Sequence, residues 1–108
     1  MMKTNEIATT ISELATKAKT EFIATMALLR TGDYDQANIR FKLANEHLLK
    51  ASQLHSGLLK REPELSLQLV YSEDLLMTAG LYQSMIVHFK DLYQITQRKK
   101  ERSKWNKL

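Results

Sequence analysis

Tyr71 and Asp74 stand three residues apart, a spacing that in a helix sets a phenol and a carboxylate on neighbouring parts of one face. The carboxylate interrupts an apolar row, Leu67, Val70, Asp74, Met77 and Leu81, at three-four spacing. Such an acid either lies at the edge of its seam, solvated or bonded to a neighbouring helix, or meets copies of itself. Copies meeting on an axis would repel, and must bind a cation or take up protons. Among other reactive side chains, His47 and His55 belong to an earlier segment, and His88 lies about 25 Å along the helix from Tyr71. His55 falls on a buried stripe and reads as a satisfied core or interface histidine, while His47 reads as partly exposed. The three have no metal-ligand spacing of the His-Glu-x-x-His kind. There is no glycine-rich phosphate loop and no Ser/His/Asp arrangement, and Glu73 and Asp74, as sequence neighbours, point about 100° apart rather than facing each other.

Three helices must position these residues. Ile7, Ile11, Leu14, Ala18, Phe22, Met26 and Leu29 recur every three or four residues, which predicts a first helix over about 5–31, stopped by Gly32. Asp33 and Gln36 form a capping box for a second helix over about 34–60, whose stripe is Ala37, Phe41, Ala44, Leu48, Ala51 and Leu54 or His55, ending in Leu58 and Leu59. Pro63 suits a first helical turn, so the third helix is expected over about 63–98. It carries two apolar seams: Leu65, Leu69, Ser72 and Leu76 on one side, and the row broken by Asp74 on the other. One seam can be covered within the chain; the other calls for a partner, so the pattern predicts self-association. The fold class is all-α, an antiparallel up-down-up three-helix bundle.

The stretch Val70-Tyr71-Ser72-Glu73-Asp74-Leu75-Leu76-Met77-Thr78 resembles the signature Val-His-Ala-Gln-Asp-His-Leu-Met-Thr of enzyme IIA of the lactose/cellobiose/chitobiose branch of the bacterial sugar phosphotransferase system. The likeness covers roughly residues 7–96, including Gly32-Asp33-Tyr34 at the first turn and the helix from Ala37 to Leu59. The signature's first His is Tyr71 here and its second is Leu75, and the loop Lys60-Arg61-Glu62-Pro63-Glu64 is shorter than the family's glycine-rich one. The resemblance implies a homotrimer of nine helices. Asp74 is then placed on the three-fold axis as ligand of a divalent metal ion such as Mg²⁺, and Tyr71, Leu75 and His55 at a partner-binding surface. It also implies partners: the phosphocarrier protein HPr, which phosphorylates the signature His, an enzyme IIB whose cysteine receives the group, or a regulator. A relay needs a nucleophile with a free lone pair near neutral pH and a labile phosphorylated form. Imidazole, with an unperturbed pKa of about 6.5, provides both; a phenol, at about 10, is mostly protonated and forms a poor onward donor. Tyr71 is therefore expected to pack at a subunit groove and not to relay phosphate.

Composition agrees with one small domain. The chain has 108 residues, 44% hydrophobic and 26% charged, with three Gly, one Pro and no Cys, which excludes disulfides and cysteine chemistry. No signal-peptide core or membrane-length apolar run is present, and a soluble cytoplasmic protein is expected. The net charge of +4 is uneven: residues 97–108 hold Arg98, Lys99, Lys100, Arg102, Lys104 and Lys107 against Glu101, while residues 1–96 carry a net of −1. The chain thus divides into a helical body, 1–96, and a basic tail, 97–108, with the only tryptophan, Trp105. That tail reads either as a solvated helix end or as a salt-sensitive contact with nucleic acid or an anionic membrane. The expected function is that of an enzyme IIA-like regulatory or scaffold homologue, with no catalytic residue and no cofactor beyond the metal. The alternatives are a working relay for lactose or β-glucoside uptake, and a helical adaptor with a nucleic-acid- or membrane-binding tail.

Overall fold

The computed structural model describes the backbone of residues 3–106, and the side chains of 3–95 and Lys99. It holds three helices, α1 (Thr4–Thr31), α2 (Tyr34–Leu59) and α3 (Leu67–Asn106), with no strand among the described residues. They form a rod of 67 × 19 × 18 Å.

α1 ends where a residue without Cβ can turn left-handed: Gly32 has φ 82° and donates its N–H back to the carbonyl of Leu29. Asp33 then caps α2, its carboxylate accepting from the Gln36 N–H at 3.3 Å. The turn is tight, so α1 and α2 run antiparallel, with Phe22 against Phe41 at 5.9 Å between ring centroids and Glu21 paired to Arg40 at 3.2 Å.

α3 begins later than Pro63. Pro63, Glu64 and Leu65 stay outside any helix, following Glu62 at a left-handed φ of 50°. A first-turn proline is permitted but not compelled to be helical, and here Ser66 provides the cap. Its hydroxyl accepts from the Leu69 N–H at 3.1 Å and donates to the Asn5 side chain at 3.2 Å, tying the start of α3 to the start of α1. Ser66→Ala removes both bonds and is expected to cost about 1 kcal/mol, read as a lower midpoint in urea with an unchanged m-value. An m-value that changes would show that more than the cap had been disturbed. Leu65, expected on the inner seam, instead lies before the helix and is 81% exposed. At its far end α3 continues past Arg98 to Asn106, because a run of lysines and arginines contains no breaker.

α1 is the keystone. It packs along both other helices, whereas α2 and α3 meet far less. Its buried face, Ile7, Ile11, Leu14, Ala15, Ala18, Phe22 and Leu29, covers Ala44, Leu48, Ala51 and Leu58 of α2 and Leu69, Ala79 and Ile86 of α3. Alanines at the crossings let the helices approach closely. Some expected members of the α2 stripe are less covered: Phe41, Leu54 and His55 are half-buried, and Leu59 is half-exposed, since the stripe turns away from α1 at its last residue.

Candidate functional site

The helix period fixes what each face of α3 does. Leu69, Ser72, Leu76, Ala79 and Ile86 turn toward α1, and Ser72 satisfies its buried hydroxyl by donating to the Leu69 carbonyl at 2.7 Å. The opposite face stands in solvent. Leu67, Val70, Met77 and Leu81 are exposed there, and the row continues through Met85, Leu92 and Ile95.

Tyr71 and Asp74 lie together, as their spacing requires, lining one open depression with Leu67, Gln68 and Val70. Tyr71 is 56% exposed and Asp74 is exposed. Leu75 is half-buried against the core, so only part of it is free to meet a partner. No group of three or more His, Cys, Asp or Glu gathers to hold a metal among the described residues of one chain.

His55 lies on the other flank of α3. Its Nε2 is 3.2 Å from the Glu73 carboxylate, a half-buried contact joining α2 to α3. About 15 Å farther along the seam, the Gln83 amide donates to Asn45 at 2.8 Å, and beyond it Lys90 lies over the Phe41 ring at 4.8 Å. Residue numbers rise on α3 as they fall on α2, which confirms the up-down-up order. The seam between α2 and α3 is thus largely polar, and Glu73 is a site residue that periodicity alone did not single out. His47 is partly exposed, as expected, although its Nδ1 is buried and unpartnered. His88 is exposed on the outward row. In the tail Lys99 is exposed, and the expected basic residues Arg98, Lys100, Arg102 and Lys104, with Trp105, lie outside the described side chains.

A family model described as PTS system, Lactose/Cellobiose specific IIA subunit, matches residues 6–94. The chain belongs to this enzyme IIA family. The match spans nearly all of α1, the whole of α2 and α3 as far as Gln94, so it includes both Tyr71 and Asp74. Among curated proteins no match to the chain is found. No described helix of this enzyme IIA is long and apolar enough to cross a membrane. Membership of the family points to other phosphotransferase components, such as IIB or HPr, as the proteins it meets.

Proposed function

We propose that this member of the family relays no phosphate through position 71 and works by binding, as a regulatory or scaffold homologue. The observation that carries the reading is the half-exposed phenol of Tyr71 at the position of the signature histidine, on a surface otherwise suited to a protein partner. A phenol in that place can hydrogen-bond and pack against a docking protein, but it is a weaker nucleophile than an imidazole, and its phosphate ester is a poorer onward donor.

The binding form is a homotrimer built on the outward row of α3. An exposed apolar row on one long helix needs a cover, and parallel copies around a three-fold axis provide it. Asp74 then brings one carboxylate per copy to the axis. One chain cannot hold a metal there, but three carboxylates form an all-oxygen donor set of the kind a hard divalent cation such as Mg²⁺ takes. The ion's contribution would be structural: it offsets the mutual repulsion of the acids and makes assembly metal-dependent.

Relay is tested directly. The chain is incubated with phosphoenolpyruvate, enzyme I, HPr and a lactose- or cellobiose-type IIB, and the expected result is no phosphoryl transfer to the IIB cysteine. Transfer that depends on this chain and disappears in Tyr71→Phe would establish the alternative, a working relay for sugar uptake.

A further inference from the structure

The outward row of α3 is apolar from Leu67 to Ile95 except at two positions. Asp74 is the first interruption; the second is His88, set between Leu81 and Met85 on one side and Leu92 and Ile95 on the other. All of these side chains are exposed in the single chain. From Asp74 to His88 is two heptads, the interval after which parallel helices wound about a common axis return a residue to the same position. α3 is one continuous helix across this span, so no break resets the register. An arrangement that brings Asp74 to an axis therefore brings His88 there as well, about 21 Å farther along. Among the described residues no hydrogen bond or ion pair engages the His88 ring, and no group of three or more His, Cys, Asp or Glu forms within one chain. His55, by contrast, is tied to Glu73.

We propose that His88 forms a second metal site, in which three copies of its imidazole, one per chain, hold a borderline transition ion such as Zn²⁺ on the three-fold axis. The inference rests on the proposed trimer, since one chain supplies one ligand, and it is separate from Asp74 in both place and chemistry. Each neutral ring gives the lone pair of one nitrogen, at the usual Zn–N distance of about 2.0–2.1 Å, and three rings fill three corners of a tetrahedron. The fourth corner lies on the axis and takes water. Imidazole suits Zn²⁺, whereas carboxylate oxygens suit a harder ion, so the two polar layers of the row divide the metals between them. Without an ion, the same layer sets three polar rings in an apolar seam, where ring nitrogens lacking partners are costly to bury. The apolar layers on either side of His88 hold the copies together with or without the ion, so the site uses the assembly and is not required to make it.

The probe is Co²⁺, which takes the ligands of Zn²⁺ and reports tetrahedral geometry through its visible absorption. The full chain is titrated with Co²⁺ in the presence of excess Mg²⁺, and its oligomeric state is read by sedimentation equilibrium in the same buffer. The expected result is one tetrahedral Co²⁺ per three chains, displaced by Zn²⁺ and retained in Asp74→Leu and in His55→Gln. His88→Leu fills its layer with an apolar side chain, so it should still sediment as a trimer while the cobalt signal is abolished. A native trimer that gives no such signal, or a signal undiminished in His88→Leu, overturns the site and leaves the trimer standing. A signal lost in His55→Gln also overturns it, by placing the ion at the α2–α3 seam. A native chain that stays monomeric with and without metal overturns the trimer and the site together.

Discussion

Met77→Arg combined with Leu81→Arg is expected to turn a trimer into a monomer that keeps its helix content and melting behaviour at low concentration. In the single chain Met77 is 69% and Leu81 66% exposed, so neither contributes to the protomer's core. Exchanging them there costs little, because surface substitutions away from special features usually fall within about 0.5 kcal/mol. In the proposed trimer the same two positions would be buried next to the axis. Arginine then forfeits roughly 25 cal/mol for every Å² of apolar surface the interface would have covered, and sets like charges against each other in a desolvated seam. Sedimentation equilibrium reads the difference, and a double variant that still sediments as a trimer would place the interface elsewhere. Asp74 provides a second arm. Chelation should dissociate the native protein if the carboxylates share a metal, whereas Asp74→Leu completes the apolar row and should give an assembly indifferent to chelator. A native trimer that ignores chelation would mean that the acids take up protons or solvent in place of a metal.

Those substitutions separate two kinds of information that one helix carries. The outward row was legible because its period is local: Leu67, Val70, Asp74, Met77 and Leu81 share a face in any α-helix. Gly32 and Asp33 were legible for the same reason, since each acts through backbone geometry within a few residues. The start of α3 was less so. Pro63 fits an extended segment as well as a first helical turn, and the cap that decides the matter, Ser66, depends partly on a bond to Asn5 far away in sequence. The pairing of His55 with Glu73 was not legible at all, because it depends on how far α2 slides along α3. No residue in either helix announces that register; it follows from where α1 holds them both.

That dependence on α1 makes Phe22 the position where one substitution should do most damage to the fold. Among the described residues it is the largest fully buried side chain, with 0% exposure, and it lies about two-thirds of the way along α1 against Phe41 of α2, in the cluster that includes Ala44 of α2 and Ala79 of α3. The small residues around it cannot expand to fill the space, and α2 cannot move toward α3 to close it, because the contact between those helices is sparse and polar. Phe22→Ala should therefore cost about 3–5 kcal/mol, the range for truncating a buried aromatic residue. Set against a total of about 5–15 kcal/mol for a domain, that is a large fraction of the stability. At about 4–8 °C per kcal/mol for a chain near this size, the melting temperature should fall by more than about 10 °C. The neighbouring Ile23→Ala, at a position 46% exposed on the same helix, changes helix propensity in alanine's favour and should shift the melt little. Protein concentration must be held fixed across the set, since the proposed assembly would add its own stabilisation. Equal losses at the two positions would mean that α1 is not the element on which the other helices are registered. The polar α2–α3 seam, and the His55–Glu73 pair within it, would then need a different support.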